Sequence, residues 1–139
     1  MTVKLREFVT YTGNERSAIG QNSLDTATRD IFVEVIDGVA YPAMGTSSRI
    51  DGVSLTRTAF GATNQISAKA KLNYVPDTVE AVYEVSVLGV GLSDINVGNF
   101  YNLLDAENVD GNSASDFTGK LRLVAVVTPT VGLFQIVNK

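Results

Sequence analysis

The sequence predicts an all-β fold: a single-domain antiparallel β-sandwich or distorted β-barrel with an extended N-terminal arm. Three observations carry this. Helix-period patterns are nearly absent while β-branched residues are abundant. Short apolar runs are punctuated by Gly, Asn, Asp and Pro. The chain has 139 residues, the usual size of one domain. A chain of that length buries about 70% of its unfolded surface and needs no covalent staple.

The elements follow in order. Val3–Tyr11 has strand-like composition. Ile31–Ile36 and Val39–Ala43 flank Asp37-Gly38, a two-residue hairpin signal, because both positions tolerate positive φ. Arg49–Thr56 carries Asp51-Gly52, which reads as a turn or a bulge. Gln65–Leu72 alternates, with Ile66, Ala68, Ala70 and Leu72 opposite Gln65, Ser67, Lys69 and Lys71. Val79–Leu88 alternates in part, so one face of each of these two strands is expected to be wet. Phe100–Leu104 holds the adjacent pair Phe100-Tyr101, one ring facing the core and the other outward. Lys120–Val127 puts Leu121, Leu123, Ala125 and Val127 on one face. Its other face is expected to grow more buried, from Lys120 and Arg122 to Val124 and Val126. Leu133–Val137 closes the set. Pro42, Pro76 and Pro129 fall at strand ends or turns, where a missing N–H costs least.

Three stretches lie between strands. Thr12–Asp30 is a polar run rich in Gly, Asn, Ser and Thr. With the strand before it, it makes residues 1–30 an arm that need not pair with the domain at 31–139. Gly89–Asn99 has room for a single helical turn near Ser93–Asn96. Asp105–Gly119 reads as a polar loop.

The residue inventory excludes much chemistry. There is no His, Cys or Trp. That removes Ser-His-Asp triads, cysteine nucleophiles, disulfides, zinc fingers, iron–sulfur clusters and His-ligated haem. A pI near 4.7 argues against a nucleic-acid binder, which carries a basic stripe to replace phosphate counterions. Apolar runs such as Leu121–Val127 are too short to span a bilayer, so no membrane partner is expected. Lys4, Arg6 and Glu7 break any signal-like apolar core, so synthesis in a cytosol is expected.

The net charge of −4 is unevenly placed. Residues 77–119 hold 8 acids and no Lys or Arg, whereas residues 120–139 hold 3 bases and no acid. Such blocks serve complementary contacts within the chain or between copies. Within the chain, the expected pairing sets Glu80 and Glu84 opposite Lys69 and Lys71.

No motif frames a reaction. Gly89-Val-Gly91-Leu-Ser-Asp94 follows a strand, as a dinucleotide fingerprint does, but Asp94 takes the third glycine position and no long helix follows. It reads as a turn. Ala106–Gly111 has glycine where an EF-hand loop has it, yet Ala106 and Phe117 occupy the first and last ligand positions. A looser calcium site from Asp105, Asp110 and Asp116 stands against a solvated loop. No acid pair is set up for glycoside hydrolysis and no Ser–Lys dyad is framed. Sparse aromatic residues without Trp weaken a sugar platform. The expectation is no enzyme: no catalytic, cofactor-binding or metal-binding residues.

From Asp37 onward the sequence resembles the small all-β capsid decoration, or cement, proteins of tailed bacteriophages. The resemblance lies in Asp37-Gly38-Val39-Ala40-Tyr41-Pro42-Ala43, then Ile50-Asp51-Gly52-Val53-Ser54. It continues in Val97-Gly98-Asn99-Phe100-Tyr101-Asn102-Leu103, a polar loop, and Gly119–Val127. It covers roughly the last hundred residues as a rhythm of strands and turns.

The resemblance implies a virion structural protein on the capsid exterior, made in the bacterial host cytoplasm. The implied partners are the major capsid protein and further copies of this chain, in a homotrimer. It also implies an extended terminal arm that grips the shell, and Val3, Leu5 and Phe8 are the side chains such an arm would dock. A tail or head–tail connector subunit, and a carbohydrate- or receptor-binding β-module, remain open as alternatives.

Overall fold

The computed structural model describes residues 3–8, 16–20, 31–54, 71–77 and 81–139. It is all-β. The strands are β1 (Lys4–Phe8), β2 (Arg16–Gly20), β3 (Phe32–Ile36), β4 (Val39–Pro42), β5 (Gly52–Ser54) and β6 (Lys71–Pro76). After these come β7 (Ala81–Leu88), β8 (Phe100–Leu103), β9 (Asn108–Ser115), β10 (Leu121–Thr128) and β11 (Val131–Ile136).

The strands form two sheets. β2-β4-β3-β5-β6 is a closed five-stranded barrel. The second sheet runs β1-β7-β11-β10-β8-β9, and a further pairing of β9 with β7 brings it back on itself. β11 takes one edge of β7, from Tyr83 to Ser86. The other edge is shared by β1 along Ala81–Glu84 and β9 along Ser86–Leu88. Two pairings are parallel, β2–β4 and β7–β9, so the expected antiparallel sheet is in fact mixed.

One core joins the two sheets. Phe32, Ile50 and Val53 from the first pack with Tyr83, Val85, Tyr101, Leu121, Leu123 and Phe134 from the second. Phe32 meets Tyr83 edge-on at 6.2 Å, and Tyr101 meets Phe134 edge-on at 5.7 Å, the arrangement that ring quadrupoles favour. A smaller cluster of Ile31, Val33, Ala40 and Tyr74 fills the first barrel.

Local chemistry explains several elements. Asp37 and Gly38 take φ of 52° and 80°, the mirror-image turn that matches strand twist, and Ile36 pairs with Val39. The prolines end β4, end β6 and sit in the β10–β11 turn. A 3-10 turn covers Asp94–Asn96, as expected. Tyr101 is buried while Phe100 is half-buried beneath Lys139 Nζ, 5.0 Å from the ring centre.

Other expectations are corrected. The polar run Thr12–Asp30 contains β2, which pairs with β6 and β4. The polar loop Asp105–Gly119 contains β9, eight residues held between β7 and β8. Neither has strong strand composition, and both are set by the partners on either side. Lys4–Phe8 does not stand apart from its domain, because its backbone pairs with Ala81–Glu84. Gly52 is neither turn nor bulge but the first residue of β5. A Cβ there would sit 2.1 Å from the Val75 carbonyl oxygen, so glycine is required by close backbone approach.

β7 is largely buried on both faces, Val82 and Ser86 included, rather than wet on one. On β10 the face of Arg122, Val124 and Val126 does grow more buried, from exposed Arg122 to half-buried Val124 and Val126, while the opposite face runs from buried Leu121 and Leu123 to exposed Val127. The ladders of β6 and β7 do not meet: Lys71 lies opposite Ile19, and Glu84 opposite Lys4 and Leu133. Most of the expected strand Gln65–Leu72 lies outside the described residues, as do Leu55, Thr56, Val79 and Glu80.

Candidate functional site

The segment singled out for docking is placed mainly against its own chain. Val3 is buried in the shared core at 2% exposure, so in this state it is a packing residue. Leu5 lies across from Tyr83 and Phe8 across from Ala81 in the ladder. The polar run that follows contributes β2 to the first barrel. Val3 and the backbone of Lys4–Phe8 are thus placed within this chain's own fold.

The proposed calcium ligands are not gathered. Asp105 Oδ1 accepts the Glu107 N–H at 2.9 Å and Asn108 Nδ2–H at 2.9 Å. Asp110 Oδ1 accepts the Asn112 N–H at 2.9 Å. β9 runs between these acids and Asp116, and six residues of extended strand span about 20 Å. Among the described residues no three His, Cys, Asp or Glu side chains come together to hold a metal.

A polar clasp ties the C-terminal residues to the first sheet. Asn138, at φ 48°, has its Oδ1 accept the Ile50 N–H and its Nδ2 donate to the Ile50 carbonyl, both at 2.8 Å. The same Nδ2 donates to Asp77 Oδ2 at 3.2 Å. Arg49 donates to Asp77 and lies 3.0 Å from Asp51 Oδ1. The hydrogen bond and charge of Asp77 raise the Arg49 pKa further above its usual value, with Asp51 adding to it. Asp51 Oδ2 also accepts the Val35 N–H at 2.7 Å. Every one of these acids is engaged structurally.

Next to the clasp lies a groove of about 240 Å³, lined by Ser48, Asn102, Thr118, Gly119, Lys120, Asn138 and Lys139. Lys120 Nζ donates to Asn102 Oδ1 at 2.9 Å and to the Gly45 carbonyl at 3.3 Å. Among the described residues the groove lining has two ammonium groups, hydroxyls and amides, and an acid adjoining it is Glu34, which accepts the Ser48 N–H at 3.0 Å. Two exposed apolar side chains adjoin it in sequence: Phe117 (76% exposed) before Thr118, and Met44 (57%) before Gly45. Such walls suit a carboxylate carried on an apolar segment.

A second surface is the excursion from Leu88 to Asn99. It is tied down at many points. Leu92 is buried and its N–H donates to the Pro129 carbonyl at 2.8 Å. Ser93 N–H and Oγ–H reach Asn96 Oδ1, and Asn96 N–H returns to the Ser93 carbonyl. Gly98 N–H donates to the Leu123 carbonyl at 2.8 Å. This well-tied segment nevertheless leaves Val90 60% and Ile95 88% exposed, with Leu88 and Val97 also exposed. Sequence reading marked the turn but missed this surface, since exposure is a tertiary property. The available signal was five large aliphatic residues among three glycines and one acid.

One buried hydroxyl bears on stability. Tyr83 Oη has no hydrogen-bond partner among the described residues. Burial pushes its phenol well above the ordinary range, and burial pushes Tyr101 the same way. The unfolded chain returns these phenols to about 10. Above about pH 10 the unfolded state therefore binds fewer protons than the native one, and stability falls as pH rises, by up to about 1.4 kcal/mol per pH unit per group. Tyr83→Phe should change stability by less than about 1 kcal/mol near pH 7, because no bond is lost. It should also flatten the alkaline decline. Urea midpoints at about pH 7 and about pH 11 check both. A large loss near neutral pH would mean that the hydroxyl is bonded.

No family model matches the chain, and no curated protein matches it. Fold and surface define an all-β protein of two joined sheets with exposed apolar side chains on tightly held loops. No helix among the described residues is long and apolar enough to cross a membrane.

Proposed function

We propose that this chain is a virion structural protein that binds the assembled capsid shell of a tailed bacteriophage from outside and reinforces it, in more than one copy. The observation that carries the reading is the set of large apolar side chains left exposed on well-tied loops, Ile95, Phe117, Val90 and Met44 foremost. Exposed apolar surface on a fixed frame is what a protein partner covers. The resemblance from Asp37 onward supplies the partner, the major capsid protein. The mechanism is thermodynamic: a protein that binds only the mature lattice stabilises it by mass action, and many weak contacts add up over the shell.

A sugar-binding module finds less support. Among the described aromatic side chains only Phe117 is exposed, whereas a sugar platform needs several together. The test is co-sedimentation of the purified protein with shells of the capsid protein encoded alongside it. Saturable binding, with a rise in the shells' melting temperature, is expected. Absence of binding at micromolar concentration would end the reading.

A further inference from the structure

The Asp94–Ile95 turn and the Lys120–Lys139 groove are complementary, and they lie where one chain cannot bring them together. Leu92 is fastened to Pro129 in the turn of the β10–β11 hairpin. The groove sits at the hairpin's open end, where Val137 N–H and Asn138 N–H donate to the Lys120 carbonyl. The turn is held along β10 between this anchor and a second one, Gly98 N–H on the Leu123 carbonyl, so the fastened turn does not swing into its own chain's groove. The turn presents an acid beside a nearly fully exposed aliphatic side chain. The groove presents two ammonium groups, and the exposed Phe117 adjoins its lining residue Thr118 in sequence while the exposed Met44 precedes Gly45, whose carbonyl Lys120 Nζ holds. The wider charge pattern agrees, since the turn belongs to the stretch 77–119 with no Lys or Arg and Lys120 opens a stretch with no acid.

We propose that this surface pair is a head-to-tail contact between copies of the chain: the Asp94–Ile95 turn of one copy seats in the Lys120–Lys139 groove of the next. Asp94 pairs with Lys139, the exposed cation, while Lys120 is already held by Asn102 and Gly45. Ile95 is covered by Phe117 and Met44. Because the turn is tied down before binding, little ordering entropy opposes the contact. Using two different patches makes it heterologous, so it closes into a ring or propagates, depending on the rotation per copy. This inference rests on the multi-copy part of the proposed function and needs no shell.

The experiment measures molar mass by light scattering from micromolar to millimolar concentration, without shells. The wild-type chain should rise above its 14.8 kDa monomer mass, and added salt should weaken the rise. Asp94→Lys and Lys139→Glu should each weaken association roughly tenfold or more. Ile95→Ser should weaken it without changing the salt dependence. Mixing the Asp94→Lys and Lys139→Glu proteins should restore association, because one copy keeps the groove and the other keeps the turn. The mixture also shows that both variants are folded.

A wild-type protein that stays monomeric throughout would overturn the contact, even if shells bind it. Association untouched by either charge reversal would overturn it while leaving the multi-copy reading intact. A mixture no better than its components would also count against it.

Discussion

Phe134→Ala should cost about 3–5 kcal/mol of unfolding free energy, a large share of the roughly 5–15 kcal/mol that a domain of this size possesses. Phe134 is fully buried on β11, the strand between β10 and β7. Its ring stands edge-on to Tyr101 at 5.7 Å and 86°. The fit is tight: a Cβ at Gly132 would come within 2.8 Å of the ring and of Leu123 and Leu92. Removing the ring loses its transfer free energy, leaves a cavity these neighbours cannot fill, and abolishes an aromatic pair worth about 0.5–1.5 kcal/mol. Urea unfolding should show a lower midpoint with an unchanged slope. Phe134→Leu should lose clearly less, since most of the volume remains. A loss below about 1 kcal/mol for alanine would mean that this core is not close-packed.

Asn138→Ala should cost about 2–4 kcal/mol, for a different reason. The Asn138 amide substitutes for a backbone partner, satisfying both the N–H and the carbonyl of Ile50, and it also steadies Asp77. Alanine leaves those partly buried groups without their partner, at about 1–3 kcal/mol each before water recovers a share. Alanine also tolerates φ of 48° less well than asparagine does. Asn138→Gly separates the two effects: it keeps the backbone relaxed and loses only the hydrogen bonds, so it should be the milder change. Faster hydrogen exchange at the Ile50 amide would locate the damage, and an unchanged urea midpoint would show that the clasp is dispensable.

Function and fold differ in how far they can be read from residues. The Asp37-Gly38 hairpin was readable because positive φ is a local demand with a local solution. The same holds for the three prolines and for the turn at Asp94–Asn96. The strand alternation in Leu121–Leu123 was readable because burial on one face leaves a period of two. The surface at Ile95 was not readable, because nothing local distinguishes an aliphatic side chain that will be exposed from one that will be buried. The burial of Val3 in its own chain's core was unreadable for the complementary reason: a strand composed to bury one face looks the same whether its partner is its own domain or another protein.

The residues alone established the all-β class, the turn positions, the absence of cysteine and histidine chemistry, and the segregation of charge. These follow from backbone sterics and from which functional groups exist, and neither depends on long-range contacts. Folding in three dimensions decided that Arg16–Gly20 and Asn108–Ser115 are strands, that two parallel pairs make the sheets mixed, and that β9 returns to β7. It also decided that Asn138 is bonded to a residue 88 positions away. A polar or very short segment becomes a strand when neighbouring strands satisfy its N–H and C=O groups. That satisfaction belongs to the pairing and is not written in the segment's own composition.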